Sequence, residues 1–219
     1  MKVIEYLKRE GVKATVKKIG EKITLKPGAD SRKTLFLVCS DFKESRRDQF
    51  PGYAFARLAE DDLDAFDEFN FFQHIKGCDY VGRADDGAVI CIFEKTICAY
   101  ACFEMNKVKR IHGTGQFELA SDEAWIGPCY VAKEHRGRGL NGELIRTASA
   151  MAASRGARRL FTSINGANFA SQASFEKAGF ETFAIYDGKS KSIVATDSAR
   201  FGIFENKVMI KEGTERIAL

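Results

Sequence analysis

Proline and tryptophan are scarce in this 219-residue chain, at three and one. No internal repeat or low-complexity tract is present, and the composition excludes a collagenous or disordered chain. Long apolar runs are missing too. The longest, such as Ile97 to Phe103, read as buried strands and fall far short of a bilayer span. The opening stretch returns to charge at Glu5, Lys8, Arg9 and Glu10, too soon for a signal-peptide core, so a cytoplasmic protein is expected. Cysteine is sparse for a disulfide scaffold: six residues, at 39, 78, 91, 98, 102 and 129, form no C-x-x-C pair. Reduced structural thiols are expected, as in Ile90-Cys91-Ile92, where the cysteine acts as a small buried hydrophobe. The histidines, His74, His112 and His135, show no ligand spacing, and no metal site is expected. Charge of one sign is also lacking, since a net charge of +4 does not by itself imply nucleic acid.

Basic residues are instead concentrated at the start. Residues 2 to 26 carry eight lysines or arginines against Glu5, Glu10 and Glu21, and Val12, Val16, Ile19 and Ile23 recur at helical spacing. One reading is a basic amphipathic helix that meets acidic partners or membrane headgroups. The preferred reading is a helix docked by its apolar stripe, because that stripe is short and Gly11 interrupts it. Pro27-Gly28 marks a turn, Thr34 to Ser40 a strand, and Pro51-Gly52 the boundary between an N-terminal extension (1–50) and a main domain (51–219).

Within the main domain, Tyr53 to Leu58 reads as a strand and Glu60 to Ile75 as a helix. Ala88 to Phe93 and Ile97 to Phe103 read as a hairpin about Glu94-Lys95. Pro128 makes a regular central strand between Glu123 and Val131 unexpected, so a bulge or an unpaired edge is predicted there. The spacing of Leu140, Leu144, Ile145, Ala148, Met151 and Ala152 predicts a helix over 140–154, stopped by Gly156. Leu160 to Ile164 is a short strand, and Asn168 caps a helix that ends at Gly179. Strands follow at Phe180 to Tyr186 and near Phe201 to Ile210. The class is α+β, with helices interrupting a sheet.

The stretch from Val131 to Gly142 carries the chemistry: a strand, a loop with Arg136, Gly137, Arg138 and Gly139, then a helix opening Leu140-Asn141-Gly142. Glycines let the backbone approach an anion and point successive N–H groups at it. The helix start adds unpaired donors and a favourable dipole. Arg136, Arg138 and nearby Lys133 add full charges.

With these residues the sequence resembles the GNAT acetyltransferase superfamily, whose R/Q-x-x-G-x-G/A pattern matches Arg136 and Gly139. Asn141 departs from the usual small residue at the end of that pattern. A second family feature, an N-x-x-S/A helix closed by a Gly-Phe pair, matches Asn168, Ser171, Gly179 and Phe180, and the resemblance spans roughly residues 53 to 186. It implies a mixed, mostly antiparallel sheet with splayed central strands, flanked by helices, and acetyl-CoA as acyl donor. The amides from Arg136 to Gly142 would hold pyrophosphate. Val131 and Lys133 would offer main-chain hydrogen bonds to pantetheine, and Asn168 would contact the pantetheine arm or merely cap its helix. A main-chain N–H near Cys129 to Val131 would polarise the thioester carbonyl.

The implied reaction is direct attack of a small-molecule amine, with a base to take its proton. Glu104, Glu118 and Glu123 are the candidates, each equally readable as a solvent-facing strand carboxylate. Phe175 stands where relatives often place a tyrosine acid; it cannot donate a proton and is expected to pack under the CoA arm. Cys129 lacks a visible partner base and reads as structural. Two alternatives stay open: a non-catalytic module that binds acyl-CoA or a partner, and an aminoacyl-tRNA-dependent relative. Homodimer formation is also open.

Overall fold

A computed structural model describes residues 33–58, 87–105, 108–111, 115–196, 208–210 and 215–217. The basic N-terminal stripe, the Pro27-Gly28 turn, the helix expected from Glu60 to Ile75, and His74, Cys78 and His112 lie outside the described residues. Among those described there are twelve strands and two α-helices, the helices flanking β8. In chain order they are β1 (Lys33–Cys39), β2 (Tyr53–Arg57), β3 (Gly87–Phe93), β4 (Thr96–Met105), β5 (Val108–Ile111), β6 (Gly115–Glu118), β7 (Glu123–Val131), α1 (Leu140–Ser154), β8 (Arg159–Asn165), α2 (Phe169–Lys177), β9 (Glu181–Asp187), β10 (Ser192–Ala195), β11 (Val208–Ile210) and β12 (Glu215–Ile217). Nine strands form one sheet in the order β12-β10-β9-β1-β8-β7-β4-β3-β2, and β11-β6-β5 form a second.

The strand that precedes Pro51, β1, lies inside the large sheet. This strand lies between β8 and β9 and is antiparallel to both, with Leu37 opposite Thr162 and Phe36 opposite Ala184. Leu35 to Cys39 are all buried. Alternation sends Leu35, Leu37 and Cys39 into the core shared with α1 and α2, and Phe36 and Val38 into a core on the other face. Burial on both faces is why this strand reads as an unbroken apolar run. Pro51-Gly52 forms the turn into β2.

The β3–β4 hairpin turns on two residues, Glu94 (φ 48°) and Lys95 (φ 67°), both left-handed as a tight hairpin requires. Helix α1 buries Leu140, Leu144, Ile145, Ala148 and Ala152 in the first core, while Met151 packs at its margin. Gly156 (φ 97°) ends the helix, with Ala157 N donating to Ala152 O at 3.1 Å. Behind the sheet, Phe117 of β6 packs on Trp125 and Phe161 with ring centroids 5.5 and 4.8 Å away, which fastens the three-stranded sheet to the large one. No helix among the described residues is long and apolar enough to cross a membrane.

Candidate functional site

The site begins where the sheet opens. Strands β7 and β8 pair in parallel through Glu123–Arg159, Ala124–Leu160 and Trp125–Phe161, and the ladder then stops. At the next position the Thr162 hydroxyl donates to the Ile126 carbonyl at 2.8 Å. Beyond it β7 stays paired only with β4, through Ala101–Cys129, Tyr100–Tyr130 and Ala99–Val131, with a register shift between Ala101 and Phe103. Pro128 follows a cis bond from Gly127. The irregularity expected at Pro128 is present as a bulge against β4, and from Ile126 onward the β8-facing side of β7 has no ladder partner.

The loop after β7 is built for close backbone approach. A 3-10 turn over Lys133–His135 leads to Gly137 (φ 77°) and Gly139 (φ 85°), both left-handed, and Gly139 is the N-cap of α1. Glycine reaches this conformation without the strain another residue would carry. No side chain caps α1, so its first amides and the positive end of its dipole face the loop. Arg136 folds back so that its Nε donates to Val131 O at 2.9 Å and its guanidinium lies 5.9 Å from the Tyr130 ring centroid. His135 Nδ1 is 3.0 Å from the Tyr53 hydroxyl, which ties the turn to β2.

Two cavities meet in the opening. One, of about 550 Å³, runs from Cys129 and Val131 past Arg136, Gly137, Gly139, Leu140 and Asn141 to Lys177 on α2. The other, of about 520 Å³, lies between the diverging strands and is walled by Trp125, Pro128, Thr162, Phe175 and Lys109, among others. Cys129, Asn168 and Ser171 border both. Of the residues expected to hold the donor, Val131, Arg136, Gly137, Gly139, Leu140, Asn141 and Asn168 line the first cavity. Lys133 and Arg138 are exposed and do not line it, and Phe175 lines the second cavity instead. Gly142 backs a third space, of about 310 Å³, beside the loop. Asn168 does cap α2, its Oδ1 accepting Ser171 N at 3.2 Å, and it also borders both cavities. Phe175 is buried edge-on against Phe180, with ring centroids 5.0 Å apart.

None of the three candidate carboxylates lines either cavity. Glu104 takes Lys109 Nζ on both oxygens at 2.9 and 2.8 Å, and it is Lys109 that reaches the cavity wall. Glu118 is exposed on β6, opposite Val108. Glu123 is buried at the start of β7, where the strands are still paired; it accepts Ala120 N at 2.9 Å and lies 3.7 Å from Arg159. These bonds make Glu123 a turn-closing group. Cys129 is half-buried at the junction, and burial pushes its thiol up to about 12, opposite to what a thiolate nucleophile needs. Among the described residues, no cluster of histidine, cysteine or carboxylates could hold a metal.

One residue of the neighbourhood had no signal in the sequence beyond an i,i+3 spacing. Glu143, in the first turn of α1, is fully buried and pairs with Arg146 at 2.8 Å. The same carboxylate accepts the Ser45 hydroxyl and, at 2.9 Å, Arg46 N, from the segment that follows β1.

The sheet parts between two parallel strands, with a left-handed glycine loop and an uncapped helix start beside the parting. Residues 40–180 match the model of the acetyltransferase (GNAT) family, and the chain belongs to that family. Among solved structures it is similar to a GNAT-family protein of Novosphingobium aromaticivorans, at 19% identity over 70% of this chain and 61% of that one, with a TM-score of 0.52. A GCN5-related N-acetyltransferase from Kribbella flavida is 18% identical over 68% of this chain and 54% of that one, with a TM-score of 0.48. The glucosamine N-acetyltransferase region of a fungal multi-domain β-N-acetylglucosaminidase is 14% identical, covering 81% of this chain and 23% of that protein, with a TM-score of 0.50. This chain thus spans under two thirds of each relative's length, and the likenesses at TM-scores of 0.52 and 0.50 show the fold alone. No curated protein matches the sequence.

Proposed function

We propose that this protein transfers an acetyl group from acetyl-CoA to the amine of a small molecule. The observation that carries the reading is the continuity of the two cavities at Cys129, Asn168 and Ser171. One cavity has an anion-binding loop at its far end, and the other is large enough for a small acceptor.

The residues fit the donor. The amides of Gly137, Gly139 and the first turn of α1 would receive the pyrophosphate. The buried Asn141 amide oxygen, which has no hydrogen-bond partner, offers an acceptor for a donor group of the ligand. Acetyl-CoA supplies an activated acyl group and a thiolate leaving group. Beyond Trp125 the β8-facing edge of β7 has no ladder partner. Main-chain N–H groups between Cys129 and Val131 are thereby available to stabilise charge on a thioester oxygen. The amine attacks in its neutral form and its proton passes through water, since no described carboxylate lines the walls. That same lack, with phenylalanine at 175, favours one second reading: a module that binds acyl-CoA without turning it over. We further propose that the folded unit begins at β1 and that the protein acts in the cytoplasm.

Calorimetry with CoA tests the binding step. Gly139→Glu places a side chain at φ 85°, within 3.7 Å of the Phe50 ring, and a charge opposed to phosphate. It should weaken CoA at least about tenfold, or about 1.4 kcal/mol; unchanged affinity sinks the assignment. Thiol release from acetyl-CoA across a panel of amines separates transferase from binding module.

A further inference from the structure

The buried carboxylate of Glu143 anchors a strap. Its Oε1 accepts Ser45 Oγ and Arg46 N; its Oε2 accepts Nε and Nη2 of Arg146 at 3.0 and 2.8 Å. A charge this deeply buried persists only when it is paired and fully hydrogen-bonded, and four donors meet that need. The bonds hold the chain between β1 and β2 across the first turn of α1. They bring Phe50 to the outer side of Gly139 and leave Nη1 of Arg146 facing Gly142.

Between this strap, α1 and the end of α2 lies the third cavity, of about 310 Å³, walled by Arg46, Gln49, Phe50, Arg146, Ser174 and Lys177. Gly139, Ser174 and Lys177 also line the cavity that begins at Cys129, so the bay opens off its far end, beyond the glycine loop. Three cations border it. The Arg146 charge is balanced by Glu143; the side chains of Arg46 and Lys177 are exposed and make no ion pair with a described residue. The Glu143 carboxylate, next in sequence to Gly142 of the bay wall, is consumed by its four bonds. An apolar ring, two uncommitted cations and an opening toward the pyrophosphate loop match the phosphorylated ribose end of a nucleotide.

We propose that this bay receives the 3′-phosphate of CoA through Arg46 and Lys177, so that the protein discriminates CoA from 3′-dephospho-CoA. The inference rests on the donor assignment above and adds a strap that the sequence motifs leave out. Both charges are partly in water, so the discrimination should shrink as salt rises.

Calorimetry on the full chain with CoA and with 3′-dephospho-CoA decides it. The unaltered protein should bind CoA at least about tenfold more tightly, about 1.4 kcal/mol. Arg46→Gln with Lys177→Gln should lower CoA to the level of the dephospho compound; both side chains are exposed, and the Arg46 amide bond to Glu143 survives the change. Arg46→Lys with Lys177 intact should keep part of the preference. Equal affinity for the two compounds in the unaltered protein overturns the inference while the donor assignment stands. So does a preference that persists in the double variant. Failure of both compounds to bind overturns the inference and the donor assignment together.

Discussion

Thr162 Oγ1 donates to the carbonyl of Ile126 one position beyond the last parallel rung between β7 and β8. A side chain thus replaces the lost ladder bond at the apex of the parting. Thr162→Val keeps the shape, removes the donor and strands a buried carbonyl. The expected loss is about 1–3 kcal/mol in chemical denaturation, whereas Thr162→Ser, which keeps the hydroxyl, should retain most of the stability. A Thr162→Val protein as stable as the parent would show that the apex needs no such bond.

Phe175 walls the cavity between the diverging strands and packs edge-on against Phe180. Phe175→Leu preserves an apolar filler and should reduce stability by about 1 kcal/mol. With an accepted amine, single-turnover acetyl transfer should slow by less than about tenfold, because no proton donor is lost. A hundredfold slowing in a folded protein would instead assign the ring to positioning of the thioester.

Two truncations should behave in opposite ways. Removing residues 1–26 leaves β1 whole, and CoA affinity in calorimetry should persist. Removing residues 1–40 takes Leu35 to Cys39 out of both cores. At about 1.5–3 kcal/mol for each large buried side chain, that loss rivals the whole stability of a typical domain, and no cooperative thermal transition should remain. A native-like melting curve for the second truncation would remove β1 from the structural core.

Alkaline pH should destabilise the fold through its thiols. Burial pushes Cys39 up to about 11 and Cys129 up to about 12, and also raises Cys91 and Cys98. Unfolded thiols release protons first, so the unfolded state binds fewer protons than the native one above about pH 9, and stability falls as pH rises from there toward 11–12. Denaturant midpoints across that window should drop less in Cys129→Ala than in the parent. Identical slopes would place the alkaline loss elsewhere.

The elements whose boundaries the sequence predicts well are fenced by local chemistry. Helix α1 is bounded by Gly139 and Gly156 and marked by Leu140, Leu144, Ile145, Ala148 and Ala152 at helical spacing. The turn at Glu94-Lys95 separates two strands too apolar to be read otherwise. The short strands β5, β6 and β10 carry no comparable pattern. Phe117 is buried only because Trp125 and Phe161 come to it from distant parts of the chain. Local pattern also marks β1 as a strand buried on both faces, yet nothing within TLFLVC names β8 and β9 as its neighbours. The carboxylates fail for a related reason. Glu104, Glu118 and Glu123 sit on strands as expected, but Lys109, an exposed surface and the Ala120 amide decide what each can touch. The geometry of the glycine loop was legible because glycines and a helix start act through backbone, which local sequence controls.

The insertion of β1 between β8 and β9 sets an order of events during synthesis. Leu35 leaves the ribosome with its apolar neighbours and must wait for Ile164, about 130 residues later, before its rung can form. At roughly 5–20 residues per second that interval is on the order of ten seconds. Pairing of such long sequence separation is also intrinsically slow after release. Through that time Leu35 to Cys39 form an unclaimed β-prone segment, a target for chaperones or for another nascent copy. The sheet becomes whole only when the second half of the chain arrives.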